Sequence, residues 1–92
     1  MDIESLIKQQ IAANAVILYM KGTPQFPQCG FSARTVEALT QIGEPFAYVN
    51  ILENQDIRAT LPQIANWPTF PQLWINGELI GGSDIMLEMF QN

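Results

Sequence analysis

Ala15-Val16-Ile17-Leu18-Tyr19-Met20 is an unbroken apolar run. A strand with one wet face alternates apolar and polar residues. An unbroken run instead reads as a strand buried on both faces, typical of a parallel sheet with a layer on each side. The run is far short of the ~20 residues needed to cross a bilayer. The chain has 92 residues, enough for one domain spanning 1–92 but not two. Its hydrophobic content is 48%, so a core can form without disulfides, and disorder is excluded.

The elements around this run follow from local signals. Asp2 caps a first helix whose apolar face is Ile3, Leu6, Ile7 and Ile11, with Asn14 as its stop. Lys21 to Gln28 holds Gly22, Pro24 and Pro27 and reads as a loop. A second helix starts near Cys29 and carries Val36, Leu39 and Ile42, with Gly43 at its C-terminal end and Pro45 beyond. Phe46 to Ile51 is a second strand. A short third helix begins near Asn54, carries Ile57, Arg58 and Leu61, and is interrupted by Pro62. Phe70–Ile75 and Glu78–Gly81 are strands joined by Asn76-Gly77, a strong hairpin signal. Ser83 or Asp84 caps a final helix with Ile85, Leu87, Met89 and Phe90 on its apolar side. The first two strands, joined by a helical crossover, should be parallel and the last two antiparallel. The order predicts an α/β fold: a four-stranded mixed sheet with helices on both faces.

Composition narrows the chemistry. With no histidine, imidazole bases, triads and imidazole metal sites are excluded. Net charge is −5, and the four cations are Lys8, Lys21, Arg34 and Arg58. Nucleic-acid affinity comes largely from Lys and Arg neutralising phosphates, so no nucleic-acid partner is expected. The single cysteine, Cys29, can neither close an intramolecular disulfide nor by itself hold zinc or an iron–sulfur cluster. One free thiol suits a reducing compartment. The N-terminus lacks the basic and apolar regions of a signal peptide, and the expected location is cytoplasmic.

Cys29 follows a strand and a Pro-rich loop and opens a helix. Free N–H groups and the positive end of the helix dipole favour an anion there, which lowers a thiol's pKa. Position alone leaves two readings open: an activated thiol, or an inert buried one. In Cys29-Gly30-Phe31-Ser32, serine stands where a dithiol motif carries its resolving cysteine. Serine cannot resolve a disulfide, so an adduct on Cys29 must be removed by an outside thiol.

Two long segments carry a resemblance. Lys21-Gly22-Thr23-Pro24-Gln25-Phe26-Pro27-Gln28-Cys29-Gly30-Phe31-Ser32 resembles the signature of the monothiol, CGFS-type glutaredoxins. So does Trp67-Pro68-Thr69-Phe70-Pro71-Gln72-Leu73-Trp74-Ile75-Asn76-Gly77-Glu78-Leu79-Ile80-Gly81-Gly82-Ser83-Asp84. The likeness runs from about Ile3 to Phe90 and is greatest to short, single-domain bacterial members. It implies a thioredoxin-like fold and a glutathione site beside Cys29. Lys21 and Arg58 would meet the tripeptide's glycine carboxylate. Pro71 resembles the family's cis-proline, which presents the backbone of Phe70 to glutathione as one more strand would. Ser83 and Asp84 would hold the γ-glutamyl end. Phe31 and Trp67 are read either as packing or as parts of the groove.

The resemblance also implies a labile [2Fe–2S] cluster. One chain supplies one thiolate; two chains and two glutathiones supply the usual four. The expected protein is therefore a homodimer when cluster-bound, acting in iron–sulfur assembly and iron homeostasis. Iron–sulfur acceptor apoproteins and a BolA-type protein are its implied partners. The alternative is a glutathione-dependent oxidoreductase of weak turnover, working through Cys29 alone. Two departures stand out. Ser83 replaces a cysteine that many bacterial members carry. The chain also ends at Asn92, where the family usually continues through one more helix. The expected consequences of that shorter end are an exposed apolar patch near the final helix and lowered stability.

Overall fold

The structure is a computed structural model and describes residues 2–43 and 45–81. The expected final helix, with Ser83 and Asp84, and the expected apolar patch beside it lie outside the described residues. The elements are α1 (Ile3–Ala13), β1 (Val16–Met20), α2 (Gly30–Ile42), β2 (Ala47–Asn50), α3 (Gln55–Ala65), β3 (Gln72–Ile75) and β4 (Glu78–Gly81). Among the described residues, no helix is long and apolar enough to cross a membrane.

Helix ends follow their local chemistry. The Asp2 carboxylate accepts from the Ser5 N–H at 2.8 Å and caps α1. At its other end Asn14 turns extended, and its side-chain amide donates to the Gln10 carbonyl at 2.8 Å. Gly43 ends α2 in the left-handed conformation, its N–H donating to the carbonyls of Leu39 and Thr40. The expected interruption of the third helix at Pro62 does not occur; α3 runs through Pro62 to Ala65. Proline removes one helical bond, to the carbonyl of Arg58, a residue on the solvent side. Burial offsets that loss: Leu61 is fully buried, and Ile64 and Ala65 pack on the same cluster. Asn66, at φ 52°, ends the helix instead.

The sheet order is β2-β1-β3-β4. β1 and β2 are parallel, Met20 lying opposite Asn50. β3 runs antiparallel to β1, with Tyr19 opposite Gln72. β3 and β4 form the hairpin, and Asn76 and Gly77 both take positive φ, as a tight two-residue turn demands. β3 begins at Gln72 rather than Phe70, since Pro71 has no N–H to give the ladder.

The unbroken apolar run is explained by two cores. Ile17 and Tyr19 point to one face and pack with Ile7, Ile11, Ile51, Ile57 and Leu61. Leu18 and Met20 point to the other and pack with Ala38, Leu39 and Leu73. Thus α1 and α3 cover one face and α2 the other, as the thioredoxin-like fold requires. Each fully buried aliphatic side chain is worth roughly 1.5–3 kcal/mol. The phenol of Tyr19, the one polar group on β1, donates to Gln10 Oε1 at 2.9 Å.

Candidate functional site

The strand register brings three chain segments to one end of the sheet. β1 and β2 both finish there, and β3 starts there. Lys21 follows β1, α3 begins shortly after β2, and Phe70-Pro71 immediately precedes β3.

The loop after β1 folds back on itself. Gly22 and Pro27 form an isolated bridge, and the Gln28 N–H donates to the Lys21 carbonyl at 2.9 Å. A turn at its tip is closed by the Phe26 N–H, which donates to the Thr23 carbonyl at 3.0 Å. The return requires glycine at position 22. Its φ is +95°, and a Cβ there would lie 2.5 Å from the Phe26 carbonyl oxygen and 2.8 Å from the Gln28 nitrogen. The folded-back loop delivers Cys29 to the N-cap of α2 in extended conformation (φ −149°, ψ 137°).

Cys29 is half-buried and free. Its side chain makes no cap hydrogen bond as the thiol. The thiolate is favoured chiefly by the backbone N–H of Ser32. Burial opposes this, and the N–H of Phe31, the charge of Lys21 and the Ser32 hydroxyl add to it; the thiol's pKa is lowered on balance. Ser32, in the position of a resolving thiol, is fully buried. Its Oγ accepts from the Lys21 N–H at 3.2 Å, tying the loop to α2.

The rate of Cys29 alkylation by iodoacetamide should therefore rise with pH to a midpoint below that of an unperturbed cysteine in a short peptide. Lys21→Gln should move that midpoint upward, because the thiolate loses a cation. A wild-type midpoint at or above that of the peptide cysteine would refute the activation.

Lys21 is half-buried, and Arg58 is exposed in the first turns of α3. The sole ion pair among the described residues is Glu4–Lys8 at 3.1 Å, within α1. Phe70 is half-buried, and the Phe70–Pro71 bond is cis, as the resemblance implies. Lys21, Cys29, Arg58 and Phe70 thus belong to one end of the sheet, while Ser83 and Asp84 lie outside the described residues. Phe31 is 52% exposed and stacks beneath the Arg34 guanidinium at 5.9 Å, so it is not core packing. Trp67 is half-buried, and its indole nitrogen is buried without a hydrogen-bond partner among the described residues.

Two polar residues that the sequence reading passes over organise this end. Asn50 Oδ1 accepts from the N–H groups of Gly22 at 2.9 Å and Leu52 at 3.0 Å. Gln72 is fully buried. Its amide donates to the carbonyls of Trp67 and Thr69, and its oxygen accepts from Trp74 Nε1. It holds the segment leading to Phe70. The visible signal was a lone amide at one end of each apolar strand. Among the described residues, no group of three His, Cys, Asp or Glu side chains converges to hold a metal ion. Within the described part of one chain, the sulfur donor set is Cys29.

Comparison with known proteins gives a consistent result. Residues 16–80 match the family described as Glutaredoxin. The chain is 69% identical over 85 residues to Glutaredoxin 4 of Haemophilus ducreyi, covering 92% of this chain and 79% of that one. It is 65% identical over 92 residues to Glutaredoxin 4 of Buchnera aphidicola from Acyrthosiphon pisum, covering 100% and 85%. The solution structure of reduced poplar apo GrxS14 superposes with a TM-score of 0.83 at 45% identity, over 97% of this chain and 82% of that one. Glutaredoxins use glutathione, and a cysteine at the mouth of the first βα unit, with serine three residues on, is the arrangement their one-thiol members need. The chain belongs to the glutaredoxin family, as a monothiol member with Cys29 as its single thiol.

Proposed function

We propose that this glutaredoxin carries a labile [2Fe–2S] cluster as cargo, shared between two copies of the chain and two glutathiones, for delivery to acceptor apoproteins. The observation behind this reading is the donor set. Cys29 is the chain's single cysteine, half-exposed, with its thiolate favoured by the start of α2. A cluster takes four ligands, usually thiolates, so two Cys29 thiolates and two glutathione thiolates complete it. Half the ligands are exchangeable small molecules, which suits a carrier rather than a permanent centre. In this reading Lys21 and Arg58 bind the glycine carboxylate of glutathione, by charge-assisted hydrogen bonds. The Phe70 backbone pairs with the tripeptide, and Ser83 and Asp84 take its γ-glutamyl end. The protein works in iron–sulfur assembly and iron homeostasis in the cytoplasm, and a BolA-type protein is a candidate partner.

The lowered pKa of Cys29 favours a second reading, a monothiol oxidoreductase. The Cys29 thiolate attacks the glutathione sulfur of a protein–glutathione disulfide. A Cys29–glutathione disulfide forms and the protein thiolate leaves. A second glutathione thiolate then attacks the glutathione sulfur of that adduct, releasing oxidised glutathione and restoring Cys29. Ser32 offers no thiol for an internal route, so turnover depends on free glutathione; Gly30 after the cysteine and the long loop before it set the chain apart from the dithiol class, and turnover is expected to be slow.

Reconstitution with iron, sulfide and glutathione separates the two readings. The carrier predicts visible cluster absorbance and a shift to dimer on sizing, both dependent on glutathione. No cluster, together with rapid reduction of glutathione mixed disulfides, would reverse the order.

A further inference from the structure

We infer that Asn50 is a positioning residue for the glutathione site, setting the separation between the loop that carries Lys21 and the helix that carries Arg58. This rests on the reading of those two cations given above. Asn50 closes β2 opposite Met20. Its side-chain oxygen bridges two backbone N–H groups from different segments, Gly22 in the loop after β1 and Leu52 in the turn after β2. Its carbonyl accepts from the Asn54 side-chain amide at 2.8 Å and from the Glu53 N–H at 3.2 Å. The Asn54 carbonyl in turn accepts from the Arg58 N–H at 3.0 Å. A continuous hydrogen-bonded path therefore runs from the residue beside Lys21 to Arg58.

The opposite side of Lys21 is pinned as well, its N–H by Ser32 Oγ and its carbonyl by Gln28. Lys21 and Arg58 sit on separate elements, and both have long, flexible side chains. They can meet one carboxylate at low entropic cost only if their backbones are held at a fixed separation. Asn50 Oδ1 is the side-chain atom that bonds both segments. Asn50→Ala leaves the Gly22 and Leu52 N–H groups without the Oδ1 acceptor in a half-buried place. Asn50→Asp keeps an acceptor oxygen there, drops the amide nitrogen, which makes no hydrogen bond among the described residues, and adds a negative charge whose effect is screened by titrating all variants at high salt.

The test is titration with S-methylglutathione, which keeps the tripeptide's charges and cannot form a disulfide, at a temperature well below the melting of every variant. Asn50→Ala should weaken binding about tenfold, and Asn50→Asp should stay within about threefold of wild type. Lys21→Gln should cost less affinity in the Asn50→Ala background than in wild type, because the two residues act together. An Asn50→Ala affinity equal to wild type, with only the urea midpoint lowered, would reduce Asn50 to a structural role and overturn the inference. Equal costs of Lys21→Gln in both backgrounds would also overturn it. Absence of saturable binding by the wild-type chain would instead remove the glutathione reading itself, and this inference with it.

Discussion

Cys29→Ser should abolish cluster assembly, cluster-dependent dimerisation and glutathione adduct formation while making the folded chain slightly more stable. Loss of function follows because serine supplies no thiolate to a cluster or to a mixed disulfide. The gain in stability follows from the position of residue 29. It is the N-cap of α2, and the thiol makes no cap hydrogen bond. Serine is among the preferred N-cap residues, its oxygen accepting from an N–H two or three residues into the helix. A good cap in place of a poor one contributes about 1 kcal/mol. Urea unfolding of the reduced protein and its Cys29→Ser variant checks this. A midpoint that falls in the variant would mean that the cysteine is a structural residue rather than a site whose local fit is less than optimal.

Gly22→Ala should be among the most damaging single changes in the site. The alanine Cβ would meet two backbone atoms, the Phe26 oxygen at 2.5 Å and the Gln28 nitrogen at 2.8 Å, and φ would remain at +95°. Backbone atoms cannot swing aside as a side-chain tip can, so the loop itself must open. The penalty for a left-handed L-residue and that for forced overpacking together come to about 2–5 kcal/mol. That is a large share of the ~5–15 kcal/mol that holds a typical domain together. Opening the loop also draws Lys21 away from Cys29, so the alkylation midpoint of the thiol should rise. Gly30→Ala is the matched control. Among the described residues, nothing lies within 4 Å of a Cβ at that position, and alanine is the better helix former by up to about 1 kcal/mol. Thermal melts and alkylation profiles of both variants decide the matter; a Gly22→Ala chain with wild-type values would show that the loop does not set the site.

How much of this was readable from residues alone depends on the kind of signal. The covered sheet is readable from Ala15–Met20, because burial on both faces leaves no polar position in a strand. The hairpin is readable from Asn76-Gly77, because few residue pairs accept two successive positive φ values. The start of α2 at Cys29 is readable from the loop prolines and from Gly43 at the other end. Pro62 misleads, because its local penalty is visible in sequence whereas the burial of Leu61 that outweighs it is a tertiary property. Asn50, Ser32 and Gln72 share a different difficulty. Their effect lies in hydrogen bonds to backbone groups of other segments, and sequence spacing carries no trace of such partners. Ser32 shows this best. Its chemistry says only that it cannot resolve a disulfide, while its position makes it the acceptor that holds Lys21 beside the thiolate.

The shared-cluster reading makes a claim about composition, and that claim can be counted. Wild-type protein reconstituted with iron, sulfide and glutathione is isolated as the coloured dimer, freed of unbound glutathione, and assayed for protein, iron, sulfide and glutathione. One iron, one sulfide and one glutathione per chain is the predicted result, with the colour lost when glutathione is removed by exchange. A coloured species that retains iron and sulfide but carries no glutathione would contradict a cluster ligated by Cys29 and the tripeptide.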